Sequence, residues 1–154
     1  MKTQCILCVE DDEDEAYMLR YAFREVGVEQ PVHFVADGQQ AIAYLHGATV
    51  SPSSALLPCL VLLDLNLPGK SGLEVLAWIR AQPALTTLVV IVYSSSDDPR
   101  DLARAYRLRA NAFVSKPPDL AERLEFVRLL KGWWLEYNRW PIPQHRPGPV
   151  LVPA

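Results

Sequence analysis

The stretch Cys59-Leu60-Val61-Leu62-Leu63-Asp64-Leu65-Asn66-Leu67-Pro68 decides how the rest of the chain reads. An apolar run leads straight into a single carboxylate, and Pro68, Gly69 and Gly72 follow as turn residues. An unbroken apolar run of this length predicts a strand buried on both faces, as in a parallel sheet. An acid at the carboxyl end of such a strand lies where open α/β sheets bind their ligands. Asp64 is therefore the candidate for the chemically active group.

Working outward, the same alternation of strand and helix recurs on both sides. Residues 4–9 read as a first buried strand, and residues 16–26 as a helix with Leu19, Ala22, Phe23 and Val26 inward, ended by Gly27. Residues 32–35 form a second short strand. Asp37 caps a helix whose apolar face is Ala41, Ile42 and Leu45, and residues 47–58 read as a Ser/Pro-rich loop. After the central strand, residues 71–81 are helical through Leu73, Val75, Leu76 and Ile79. Residues 88–93 are a strand ending in Ser94-Ser95-Ser96. Pro99 opens a helix through Leu108. Residues 112–114 make a last strand running into Ser115-Lys116-Pro117-Pro118, and Asp119 caps a long helix reaching residues 137–139. Five such repeats predict an α/β fold, a flavodoxin-like (βα)5 doubly wound parallel sheet in the order 2-1-3-4-5.

Composition fits one globular domain. The chain has 154 residues, half of them apolar, with a formal net charge of −3, which argues against broad nucleic-acid binding. No segment is apolar enough for a bilayer span, and Met1-Lys2-Thr3-Gln4 leads directly into a strand pattern, so the expected location is cytoplasmic, with no membrane partner. Cys5 and Cys8 alternate to opposite faces of one strand, which disfavours a local disulfide or metal pair. They and Cys59 read as buried structural thiols.

In the predicted sheet order the ends of strands one, three, four and five converge. They bring together Glu10 and Asp11, Asp64, Ser94 and Lys116. Converging carboxylates resist ionising together, and a divalent cation relieves that conflict. Magnesium suits an all-oxygen site of this kind. Asp11 and Asp64 fit direct ligation, Glu10 a water-mediated contact, and the backbone carbonyl of Asn66 a further ligand. Lys116 supplies a point charge for a phosphoryl group and Ser94 a hydroxyl, around an aspartate nucleophile. Taken singly, each has a plainer reading: the acidic run over residues 10–15 as a solvated helix start, which suits Asp14 and Glu15 well, the serines as a turn, Lys116 as a surface lysine. The ordered set is far more specific than its members.

These residues resemble a known family. Val9-Glu10-Asp11-Asp12, then Leu63 to Pro68 with Gly72, then Tyr93-Ser94-Ser95, then Lys116-Pro117 look like the receiver domain of two-component response regulators, over residues 4–134. The resemblance implies that Asp64 accepts a phosphoryl group from a phosphohistidine on a sensor histidine kinase, with Mg2+ held by the acidic pair. It implies that Ser94 is the hydroxyl switch residue and Lys116 the matching lysine. Phe113 then stands for the aromatic that turns inward when the hydroxyl moves. Such a protein is a phosphoacceptor rather than an enzyme, with slow autodephosphorylation at most. An aspartate-nucleophile phosphatase is the rival reading. It usually needs an acid two residues after the nucleophile, where this chain has Asn66. A phosphorylation-independent scaffold is the other rival.

The expected organisation is a receiver over 1–137 and a proline-rich arm over 138–154, with no output domain after it. On the last helix, Leu120, Leu124, Val127 and Trp134 form a stripe expected to cover the sheet. Phe126, Leu130, Trp133 and Tyr137, with Trp140 beyond them, are expected to form a homodimer seam. The Leu-Asp-Leu-Asn-Leu-Pro turn and the Trp-bearing end also resemble single-domain receivers paired with phytochrome kinases. Arg100, Arg104 and Arg107 share one helix face, which is either solvated or a docking patch for an acidic surface.

Overall fold

The computed structural model describes residues 4–51 and 56–141. Strands β1 (Cys5–Val9), β2 (Val32–Val35), β3 (Pro58–Leu63), β4 (Val89–Ser94) and β5 (Ala112–Ser115) form one parallel sheet in the order β2-β1-β3-β4-β5. Helices α1 (Glu13–Val26), α2 (Gly38–Val50), α3 (Gly72–Ala81), α4 (Pro99–Arg107) and α5 (Leu120–Leu130) connect and follow them. This is the flavodoxin-like order that the alternation predicts.

The central strands are apolar throughout because both their faces are covered. Ile6, Cys8, Leu60, Leu62 and Ile91 pack with Leu19, Ala22 and Phe23 of α1 and with Val127 and Leu130 of α5. Leu7, Val9, Val61, Leu63, Val90 and Val92 pack with Ala41 and Leu45 of α2, the apolar face of α3, and Ala105 of α4. Each helix starts at a side-chain cap. Asp12, Asp37, Ser71, Asp98 and Asp119 all accept backbone amides of the first turn, each contributing about 1 kcal/mol. Cys5, Cys8 and Cys59 are buried free thiols. Among the described residues no peptide bond is cis, so Lys116-Pro117 is trans.

Four local expectations need correction. Helix α1 begins at Glu13, not residue 16, because Asp12 accepts the amides of Asp14 and Glu15 and draws the acidic run into the first turn. Helix α2 continues through Gly47 to Val50, since Ala48 finds a buried place on the core. Leu120 is not sheet-facing but 40 % exposed, while Arg123, one turn later, is buried. Leu130, expected at a seam, is 2 % exposed and belongs to the core. Phe126 stays half-buried beside the core, stacked on Tyr93 with ring centroids 5.1 Å apart. Beyond α5 the chain widens into π-helical turns over Lys131–Tyr137. These turns seat Trp134 near Trp140 and leave Trp133 65 % and Tyr137 80 % exposed. Of the expected arm, only residues 138–141 are described, so the anchors at 142–153 lie outside the described residues.

A buried arginine fixes the edge opposite the carboxyl ends of the strands. Arg80 of α3 donates to the carbonyls of Leu88 (2.8 Å) and Arg109 (2.9 and 3.1 Å) and to Asn111 Oδ1 (3.0 Å). Asn111 Oδ1 also accepts the amide of Val90. Burial lowers the Arg80 pKa, and the nearby Arg109 charge adds to the effect. Carbonyl dipoles rather than a carboxylate balance the guanidinium, and the C-terminal end of α4 is tied to α3 and β4 in consequence. No helix among the described residues is long and apolar enough to cross a membrane.

Candidate functional site

Parallel register carries the ends of β1, β3 and β4 to one edge. Val9 pairs with Leu63, and Leu63 with Val92, so Glu10, Asp64 and Ser94 follow at neighbouring strand ends. Asp64 is 3 % exposed. Its Oδ1 accepts the amide of Asn66 at 3.2 Å and its Oδ2 accepts Lys116 Nζ at 2.9 Å. Lys116 reaches this place because β5 pairs with β4 and its amide donates to the Ser94 carbonyl at 2.9 Å. Burial works against its charge, but the contacts with Glu10 and Asp64 outweigh burial and hold its pKa above that of an ordinary lysine.

Glu10 is 4 % exposed. Its Oε1 accepts the amide of Asp12 at 3.1 Å. Its Oε2 lies 2.8 Å from Lys116 Nζ yet makes no hydrogen bond, an ion pair whose approach is not aligned for one. Burial pushes the Glu10 pKa up to about 7; the Asp64 charge adds to this and Lys116 opposes it. The carboxylates of Glu10, Asp11 and Asp64 offer ligand atoms that all lie within 4.8 Å of one another. This is an all-oxygen donor set with one buried acceptor atom left without a hydrogen bond. It fits a hard divalent cation.

Ser94 is fully buried, and its Oγ accepts the amide of Ser96 at 3.2 Å. Ser96 Oγ in turn donates to Asp101 Oδ2 at 2.6 Å, so Ser96, through its amide and its hydroxyl, links the end of β4 to the first turn of α4. Phe113 pairs with Val92 and is half-buried against the α2–α4 side of the core. Ser94 stands two residues beyond Val92 and so projects from the same side of the sheet. Arg100 is engaged by Asp98 at 3.0 Å, whereas Arg104 and Arg107 are exposed.

One group of residues escapes the sequence reading. Glu15, expected as a solvated helix-start acid, is buried and pairs with Arg123. Burial alone would raise the Glu15 pKa. Hydrogen bonds from Arg123 and Tyr93, with the Arg123 charge, outweigh burial and bring it below the ordinary value of 4.5. A depressed carboxylate contributes stability that is present above the unfolded pKa and lost as pH falls through the folded one. Urea unfolding of the wild type and of Glu15→Gln is therefore expected to differ most at neutral pH. The gap should close as pH drops below about 4.5. A gap that does not change with pH would contradict this ionic role.

A doubly wound sheet of this order, with a buried strand-end aspartate flanked by two acids and a lysine, is the arrangement of a receiver-type signalling domain. Residues 6–128 match the response regulator receiver domain family, and the chain belongs to it. It is 36 % identical over 138 residues to the probable methanogenesis regulatory protein FilR2 of Methanothrix harundinacea, covering 90 % of this chain and 88 % of that one. It is 32 % identical over 131 residues to the response regulator Rcp1 of Synechocystis, covering 85 % and 88 %. The crystal structure of the phosphorylated cyanobacterial phytochrome response regulator RcpA superposes with a TM-score of 0.81 at 34 % identity, covering 90 % of this chain and 99 % of that one. The chain is thus a receiver of two-component signalling related to phytochrome response regulators.

Proposed function

We propose that this protein accepts a phosphoryl group on Asp64 from a sensor histidine kinase, of the bacteriophytochrome type, and signals by protein contact rather than by catalysis. The observation that carries the reading is the buried Asp64 carboxylate held between Lys116 and the Glu10–Asp11 pair. Glu10, Asp11 and Asp64 would hold Mg2+, Glu10 through water, with the Asn66 carbonyl as a further ligand. When bound, the ion offsets the charge of the carboxylates and of the incoming group. An Asp64 oxygen attacks phosphorus. The new bond is O–P, the donor's P–N bond breaks, and its electron pair stays on the imidazole nitrogen. Lys116 Nζ, already on Oδ2, is placed to follow the charge onto the phosphoryl oxygens.

The product adds roughly one and a half to two negative charges at this spot. Ser94 then exchanges the Ser96 amide for a phosphoryl oxygen, and Phe113 turns into the space it leaves. The α4–β5–α5 face repacks as a two-state element. Transfer of label from phosphorylated histidine kinases to the full chain tests the reading; no transfer from any kinase of the same cell would refute it.

The same reading makes the protein a cytoplasmic homodimer. Leu129, Trp133 and Tyr137 are large, exposed and four residues apart, which supports a seam along the end of the last helix, continued by the arm. A chain cut after Tyr137 is expected to dimerise more weakly than the full chain in sedimentation. Equal dimerisation would remove the arm from the interface.

A further inference from the structure

Glu15, Tyr93 and Arg123 form a polar cluster that phosphoryl chemistry at Asp64 does not itself use. Tyr93 Oη donates to Glu15 Oε1 at 2.8 Å. Arg123 donates to Oε1 through Nε at 3.0 Å and to Oε2 through Nη2 at 2.6 Å. All three residues are buried, at 6 %, 1 % and 7 % exposure. The Tyr93 ring is stacked on Phe126 at an interplanar angle of 18°.

The location of this cluster matters more than its strength. A buried ion pair adds little stability over apolar residues of equal volume, so α1 and α5 would pack without it. Charged hydrogen bonds add direction. Glu15 belongs to the first turn of α1, whose cap Asp12 accepts the Glu15 amide and donates its own amide to Glu10. Fixing the Glu15 carboxylate therefore fixes the loop that carries Asp11. At the other end, Tyr93 directly precedes Ser94 on β4. In the sheet order β3, with Asp64 at its end, lies between β1 and β4. The cluster spans from the acidic side of the pocket to the hydroxyl side.

We infer that Glu15, Tyr93 and Arg123 are a clamp that sets the spacing of the acidic loop and the β4 end about Asp64, with Tyr93 and Arg123 as positioning residues for cation binding and phosphoryl acceptance. This rests on the proposed role of Asp64. The full chain is titrated calorimetrically with MgCl2 alone, and then with beryllofluoride in the presence of Mg2+, alongside thermal unfolding. The combined change Glu15→Met and Arg123→Met replaces the pair by apolar volume. Its melting point is expected to stay at or above that of the wild type. Its Mg2+ affinity is expected to fall roughly tenfold, the lower end of what losing outer support costs a metal site. Tyr93→Phe keeps the ring on Phe126 and removes one oxygen. It is expected to weaken both ligands in the same direction, and it carries the test if the paired change unfolds the chain. Wild-type affinities in folded variants would overturn the clamp. Failure of the underlying reading shows differently: the unmodified chain would then bind neither Mg2+ nor beryllofluoride.

Discussion

Asp64→Asn is expected to reduce phosphoryl uptake to background while the chain stays folded. An amide is not a nucleophile toward phosphorus, and of the two buried carboxylates beside Lys116, Glu10 only ion-pairs with it, while Asp64 accepts its hydrogen bond on one oxygen and a backbone amide on the other. The fold should survive for reasons visible in the geometry. Asparagine retains an acceptor for the Asn66 amide. Loss of the contact to Lys116 is offset by relief of Glu10, whose ionised form the Asp64 charge opposes. The measurement is labelling by a phosphorylated kinase with circular dichroism of the same sample. Strong labelling of the folded variant would move the acceptor elsewhere.

Gly72→Ala is expected to destabilise the chain by about 3 kcal/mol, at the upper end of overpacking costs. A Cβ there would lie 2.1 Å from the Asp64 carbonyl oxygen and 2.7 Å from Leu65 Cα. Non-bonded atoms settle at about 3.5 Å, and both obstacles are backbone, so side-chain rotation cannot relieve the clash. The β3–α3 turn must open, straining the bond from the Gly72 amide to the Leu65 carbonyl at 3.0 Å and displacing Asp64. Urea unfolding should show the loss, and labelling of the folded protein should fall with it. Gly47→Ala is the control. It lies within α2 with nothing near the new methyl, and should be neutral or stabilising by about 0.5 kcal/mol. Equal midpoints for Gly72→Ala and the wild type would show that the turn is looser than its geometry implies.

These cases mark what a single sequence carries. The apolar run before Asp64 and the strand–helix alternation specify the sheet because burial on both faces leaves a local pattern. Glu10, Asp11, Asp64, Ser94 and Lys116 are legible because each ends a strand, and register does the rest. Glu15 is misread as a solvated acid because its partner lies 108 residues away on α5, and nothing local distinguishes a buried acid from an exposed one. The one available signal is an arginine where the α5 stripe would otherwise be apolar. Leu120 and Leu130 are misassigned for a related reason. A wide apolar arc has no unique inward direction until Arg123 fixes it toward Glu15 and the π-helical turns shift the residues that follow. Gly72 reads as a turn residue, but its contact with the Asp64 carbonyl is a tertiary fact.

The central claim is that one carboxylate at the end of β3 is reversibly esterified. Reduction of the phosphorylated full chain with borohydride, followed by peptide mass mapping, tests it most directly, since an aspartyl phosphate is reduced to homoserine. Homoserine at position 64 alone is the predicted result. Homoserine at Asp11 or another acid, with Asp64 unchanged, would contradict it.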